Sequence, residues 1–227
     1  MDRDMFIRDR RALSESRMDT IFAPIYDQDW GAYINPSHQR FVERFLALLA
    51  PHSQILDAAC GTGKYWPLIL GSGHAVTGCD QSAGMLRQAT TKGLGVHAEQ
   101  IGLQELPYTD AFDGIVCVDA MENIYPEDWP RVLQNFWRAL KLGGYLYLTV
   151  EQASQEELRH AFEAGQSLGF PVVWGEYVHH GGYHYYPADE QVHQWLAEAG
   201  FQIIEQAPGD DYLHILCLRA AARQQAG

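Results

Sequence analysis

The stretch Ile55-Leu56-Asp57-Ala58-Ala59-Cys60-Gly61-Thr62-Gly63-Lys64 decides how this chain folds. It opens as a short apolar run of the kind that makes a buried parallel strand. It closes on two glycines one residue apart, with Asp57 where the strand would stop. Glycine lacks a Cβ and tolerates unusual φ, so a strand ending in Gly-x-Gly lets a ligand approach the backbone closely. The helix expected next, over 64–71, would point its first N–H groups at that ligand.

Two ligand classes use such a junction. The dinucleotide fingerprint requires G-x-G-x-x-G, its third glycine allowing close helix packing. Trp66 stands at that third position, and its indole argues against a nicotinamide cofactor. An acid four residues before the first glycine, D-x-x-x-G-x-G, is matched by Asp57, Gly61 and Gly63. The next apolar run, His74 to Cys79, ends at Asp80. An acid there can accept hydrogen bonds from both hydroxyls of a ribose. The plainer readings are an ordinary strand–turn–helix junction and a helix-capping aspartate.

With these motifs the chain resembles the class I S-adenosylmethionine-dependent methyltransferases of the small-molecule type. The matching stretches are LDAACGTGKYW, VTGCDQSAGMLRQA, LQELPYTDAFDGIVCVDAMENI and LKLGGYLYLTVE, spread over about residues 52–150. The resemblance implies S-adenosyl-L-methionine as cofactor and S-adenosyl-L-homocysteine as product. It implies that Ala58, Gly61 and Gly63 lie against the methionine part and that Asp57 orients the loop and the amino group. Asp80 would hold the ribose, and Gln81 and Met85 would flank the adenine. Asp119 and Ala120 would border the transferred methyl, and Tyr26 would touch the methionine carboxylate. Many relatives carry an aspartate where this chain has Gly102, so the adenine would be read by backbone near Leu103 and by Gln104.

The chain is 227 residues long, which suits one domain with a substantial core. Its expected parts are an N-terminal lid (1–35), a cofactor-binding core (36–150), a substrate-cap insertion (151–187) and a C-terminal helix and hairpin (188–227). The formal net charge is −13 and there is no basic stripe, so nucleic acid is a poor partner. Cys60, Cys79, Cys117 and Cys217 have no C-x-x-C spacing and read as buried thiols, with no metal site expected. The charged N-terminus and the lack of a long apolar run imply no signal peptide, no membrane span and a cytoplasmic setting.

Helices are expected at 4–18, 36–50, 64–71, 82–92, 129–141, 154–167 and 188–199. Strands are expected near 54–58, 74–79, 95–98, 113–118, 144–150, 201–206 and 212–219. This alternation means an α/β, Rossmann-like sheet of seven mostly parallel strands with helices on both faces. Pro208-Gly209-Asp210-Asp211 is too short for a crossover, so the last two strands form a C-terminal antiparallel hairpin.

Two aromatic-rich regions lie outside this scaffold. One contains Tyr26, Trp30 and Tyr33; the other, residues 171–187, reads as a hairpin turning at His180-Gly181-Gly182. Trp30, Tyr33, Trp174, Tyr177, Tyr183 and Tyr185, with Met121 beside the fourth strand, are candidate contacts to a flat or aromatic acceptor. The alternative is that these aromatics pack a small satellite core.

A sulfonium already activates its methyl group, so the protein mainly aligns the reactants and excludes water. A base can still be needed to take the acceptor's proton, and Glu122, His179, His180 and His184 are the candidates. Competing functions are methyl transfer to protein or RNA and a non-catalytic cofactor-binding module. The Asn123-Ile124-Tyr125-Pro126 block does not match the motif of amino-methylating nucleic-acid enzymes.

Overall fold

The computed structural model describes residues 1–31, 33–179 and 182–220. Among the described residues nine strands run in chain order: β1 (Gln54–Ala58), β2 (Ala75–Asp80), β3 (His97–Gln100), β4 (Phe112–Cys117), β5 (Leu140–Glu151), β6 (Glu176–His179), β7 (Gly182–Tyr185), β8 (Phe201–Gly209) and β9 (Tyr212–Arg219). Seven of them form one sheet in the order β3-β2-β1-β4-β5-β9-β8, and β6 and β7 form a separate two-stranded sheet. Neighbours from β3 to β5 are parallel, and β9 runs antiparallel to both β5 and β8. The expected seven-stranded sheet with its C-terminal hairpin is therefore present.

The helices are α1 (Arg3–Arg17), α2 (Pro36–Leu48), α3 (Trp66–Gly71), α4 (Ala83–Thr91), α5 (Trp129–Ala139), α6 (Gln155–Ser167) and α7 (Asp189–Ala199). Successive strand residues point to opposite faces, and both faces are covered. Leu56, Ile115, Leu146 and Ile215 join Trp129, Leu133 and Phe136 of α5 and Leu196 of α7 in one core. Their neighbours Ile55, Val116, Tyr147 and Leu216 join Phe41 and Phe45 of α2 and Trp66 of α3 in the other. Burial on both faces explains why these strands read as unbroken apolar runs rather than as alternating ones.

Most boundaries fall within two residues of expectation, and two depart further. Strand β5 starts at Leu140, four residues early, because the chain stays paired through an irregularity beside Phe112 and Gly114. The last hairpin needs only Asp210 and Asp211 as its turn, with φ of 50° and 65°, while Pro208 and Gly209 stay in the strand. A two-residue turn with both φ positive matches the twist of the flanking strands, and aspartate tolerates that region. The turn expected at His180-Gly181-Gly182 lies partly outside the described residues.

Strand order reverses between β1 and β4, so their carboxyl ends open a crevice. Asp57 ends β1, Asp80 ends β2 and Asp119 follows β4, which brings the three acids to one edge.

Candidate active site

The glycine loop is built on left-handed backbone. Ala59, Gly61 and Gly63 have φ of 58°, 53° and 71°. This winding brings the Gly63 N–H to the Cys60 carbonyl at 2.8 Å and ties Cys60 N–H to the Cys79 carbonyl at 2.9 Å. A Cβ added to Gly61 would meet nothing within 4 Å, so this residue faces open space over the crevice. A Cβ on Gly63 would come within 2.5 Å of the Trp66 indole. That indole is fully buried and also lies over Gly78, where a Cβ would stand 2.6 Å from it. Trp66 therefore fills space left by two absent side chains and keeps helix and sheet close without a glycine of its own.

The acids are held very differently. Asp57 is 2% exposed and its Oδ2 has no hydrogen-bond partner. Burial pushes its carboxyl up to about 7, the Trp66 indole opposes this, and the nearby Asp80 adds to it. Asp80 accepts the N–H of Gly61 on one oxygen and that of Ser82 on the other, each at 2.8 Å. Its carboxyl is still raised, because burial outweighs the two backbone bonds. Ser82, not Asp80, caps α4 by accepting the Met85 N–H. Asp119 sits at φ 55° and donates its N–H to Thr149 Oγ1 at 2.9 Å. Non-glycine residues in left-handed backbone at adjacent strand ends, here Ala59 and Asp119, are typical of ligand sites.

One cleft collects most of the expected cofactor residues. Asp57, Gly61, Asp80, Gln81, Met85, Gly102, Leu103, Asp119, Ala120 and Tyr26 all line it. Ala58 is buried in β1 and Gly63 is turned against Trp66, so both support the loop from behind. Asn135 donates to the carbonyls of Leu103 and Gln104 at 2.9 Å each, fixing the short helical turn Leu103–Glu105. At Gly102 a Cβ would stand 2.7 Å from Glu105 Oε2, so the carboxylate of Glu105 takes up that space.

The N-terminal segment borders the cleft, which Arg11, Ser14, Met18 and Tyr26 line. Four anchors hold it. Asp19 accepts from Ser82 Oγ and, at 2.9 Å, from the Gly84 N–H. Asp27 accepts from Thr62 Oγ1 at 2.6 Å and pairs with Lys92 at 3.1 Å. Arg11 pairs with Asp128, and Arg3 with Glu176. These pairings join residues far apart in the sequence, so no local pattern marks them.

Acceptor-side candidates scatter. Tyr183 lines the cleft and stacks on Tyr125 with centroids 3.9 Å apart. Met121 is wholly buried, and Tyr185 packs edge-on to Trp129. Trp30 packs at a tilt against Tyr26, Trp174 packs edge-on to Phe162 and Tyr177 stacks on His179; these three and Tyr33 are exposed. Glu122 is 6% exposed; Asn123 donates to its Oε1, and its Oε2 has no partner. Burial pushes Glu122 up to about 8, with Asp119 adding to the shift and His184 opposing it. His184 Nδ1 lies 3.1 Å from both Glu151 Oε2 and the Tyr186 hydroxyl. Burial alone would lower its imidazole, but Glu151, Glu122 and Asp119 together raise it. His179 lies edge-on to His184, and His180 is outside the described residues. Among the described residues no group of three His, Cys, Asp or Glu is arranged to hold a metal ion.

The site also includes residues the motifs did not single out. Lys64 and Tyr65, directly after the glycine loop, line the cleft, as do Thr62 and Asn123. Their adjacency to Gly63 and Glu122 was the available signal.

The residues fit an adenosyl thioether or sulfonium on structural grounds. Asp57 offers an orphaned, buried carboxylate oxygen, Gly61 leaves a gap where any side chain would intrude, and Asp80 stands beside that gap.

Comparison with known proteins agrees. The family model described as a methyltransferase domain matches residues 55–144. The malonyl-[acyl-carrier protein] O-methyltransferase of Pectobacterium atrosepticum is 34% identical over 131 residues, 53% of this chain and 49% of that protein. The chain thus spans about half the length of that relative. The ubiquinone biosynthesis O-methyltransferase of Coxiella burnetii is 27% identical over 76% of this chain and 72% of its own. The 1,6-didemethyltoxoflavin-N1-methyltransferase of Burkholderia thailandensis, solved with 1,6-didemethyltoxoflavin and S-adenosylhomocysteine, superposes with a TM-score of 0.71. That match covers 94% of this chain and 90% of the other at 17% identity, and it shows a shared fold.

Proposed function

We propose that this chain, a class I S-adenosylmethionine-dependent methyltransferase by its matching domain and sheet order, methylates a small flat or aromatic acceptor in the cleft over Gly61. One observation carries this reading. The cleft is bounded by three strand-end acids and roofed by the chain's own N-terminal segment, with Tyr26, Tyr65, Tyr125 and Tyr183 around it. A roofed, tyrosine-lined space suits a small molecule better than a polymer. The named substrates of two relatives, a malonyl thioester and a ubiquinone precursor, are consistent with an oxygen acceptor.

Mechanism follows from the residues. The cofactor supplies an activated methyl group on sulfur. Asp57 and Asp80 would hold its amino acid and ribose parts, Tyr26 its carboxylate, and Gln81, Met85 and Leu103 its adenine. Asp119 and Ala120 would border the acceptor. Glu122, its carboxyl pushed up to about 8 by burial, would stay protonated at neutral pH and donate a hydrogen bond toward the acceptor. His184, paired with Glu151, would set the charge of the cap's inner face. Alignment and exclusion of water by the roof account for the rest of the rate. The buried thiols suit a reducing, cytoplasmic setting. Among the described residues no helix is long and apolar enough to cross a membrane.

The test uses the full chain with radiolabelled S-adenosylmethionine and a panel of phenols, catechols, carboxylic acids and N-heterocycles, with bulk tRNA and a protein mixture as comparison. Transfer to panel members is expected. Label entering only tRNA or protein would overturn the acceptor class. Tight cofactor binding with no turnover on anything would identify a binding module.

A further inference from the structure

We propose that Tyr65 and His38 form a proton relay that drains the acceptor's proton away from the cleft, a role that rests on the methyl transfer proposed above. His38 lies in the first turn of α2, where Asn35 accepts its N–H as the helix cap. Its imidazole is 1% exposed, and Nδ1 lies 3.1 Å from the Tyr65 hydroxyl. Tyr65 lines the same cleft as Gly61 and Asp119. The pair therefore joins the reacting space to a buried nitrogen base in one hydrogen bond.

The surroundings suit this use. His38 Nε2 has no partner. The ring packs edge-on to Tyr212 at 4.8 Å and to His214 at 5.2 Å. His214 is already committed, with the Tyr147 hydroxyl on Nδ1 at 2.9 Å and the Gly209 carbonyl on Nε2 at 3.0 Å. The charged and titratable groups facing His38 come from every element around it. They are Lys64 and Tyr65 from the glycine loop, Asp119 after β4, Tyr212 and His214 on β9, and Asp210 in the last turn. Burial, His214 and Lys64 hold the imidazole below its ordinary range, while Asp119 and Asp210 favour its charged form.

The proton balance is simple. As the acceptor's oxygen or nitrogen gains a methyl group, its O–H or N–H becomes strongly acidic. That proton passes to the Tyr65 oxygen while the Tyr65 proton passes to His38 Nδ1. Tyr65 ends as it began, and the charge rests on an imidazolium that Asp119 favours until the methylated product leaves, when the proton returns through the Tyr65 hydroxyl to water entering the cleft and His38 is neutral again. So acidic a donor needs only a weak base, and a low imidazole pKa keeps His38 ready to accept across the neutral range.

The experiment pairs a spectroscopic and a kinetic arm. In the full chain with S-adenosylhomocysteine, ¹⁵N imidazole shifts should show His38 neutral, protonated on Nε2, and unchanged from pH 8 to pH 6. The Nδ1 signal should move in Tyr65→Phe. A His38 protonated on Nδ1 at neutral pH would overturn the relay, whatever the turnover. With an acceptor from the panel, Tyr65→Phe and His38→Gln should each lower kcat about a hundredfold, the size of a general-base contribution. KM and S-adenosylhomocysteine affinity should stay within about threefold, and the wild-type rate should persist from pH 8 to pH 6. An acid limb near pH 8 would assign the base to Glu122 instead, and full kcat in Tyr65→Phe, which removes one oxygen only, would also overturn the relay. Absence of any methylated acceptor would strike the proposed function alone, since the imidazole arm needs no turnover.

Discussion

Arg3 and Glu176, 173 residues apart in the chain, meet in a two-pronged ion pair with N–O distances of 2.5 and 2.7 Å. Glu176 is fully buried and also accepts the Tyr183 hydroxyl at 2.6 Å and the Val173 N–H at 2.8 Å. The pair fastens α1 to the β6–β7 hairpin beside the cleft. Removing one partner of a buried pair strands the other's charge, at a cost of about 3 kcal/mol. Arg3→Ala is therefore expected to lower stability by about that amount in urea titrations. Adding Glu176→Gln should recover part of the loss, because no buried charge is then left unpaired.

The two loop glycines should separate binding from folding. Alanine in left-handed backbone costs about 1–2 kcal/mol at either position. Gly63→Ala also drives a methyl into the buried Trp66 indole, so its melting temperature should fall further than that of Gly61→Ala. Gly61→Ala should stay folded and lose at least tenfold in S-adenosylhomocysteine affinity by calorimetry. Equal affinity in that variant would place the ligand elsewhere.

Tyr26 lies in the roof with its phenol pushed up to about 12 by burial, with Asp119 and other nearby acids adding. If its hydroxyl meets the ligand's carboxylate, Tyr26→Phe weakens S-adenosylhomocysteine binding by more than about 1 kcal/mol. Unchanged calorimetric affinity would remove Tyr26 from the site.

Glu122 sets a pH dependence of stability. Its carboxyl is raised above the unfolded value, so the folded state holds a proton that the unfolded state has lost. Its contribution is complete below the unfolded carboxylate pKa and is lost as pH rises through about 8. From pH 7 to 8.5 wild type should lose about 1 kcal/mol more than Glu122→Gln, or about 2–4 °C in melting temperature. Parallel curves for the two proteins would show that Glu122 is already ionised at neutral pH.

The sheet was legible because its residues obey short-range rules. Ile55, Leu56, Ile115 and Val116 face two cores at once, so their strands are apolar throughout, and Asp57 and Asp80 mark the strand ends in the sequence itself. Asp119 could be placed from the same spacing. An N-terminal lid was expected, but what ties that segment down was not legible. Its anchors, Asp19 to Ser82, Asp27 to Thr62 and Arg3 to Glu176, join residues far apart in sequence, and no local periodicity encodes such pairs. His38 stayed hidden for a similar reason: only the folded chain sets it against Tyr65. Gly78 in β2 leaves open the space that the Trp66 ring occupies, a contact no local pattern encodes.

The four cysteines lie on the glycine loop, β2, β4 and β9, and all are buried and unpaired. Burial pushes each thiol well above its ordinary pKa, which disfavours the reactive thiolate. A thiol reagent added to the native protein must therefore wait for an opening, and the labelling rate at each position times the opening of its own part of the sheet. Cys60 borders the cleft, so its clock should slow most when nucleoside ligand is present, giving an occupancy readout that needs no acceptor and no turnover.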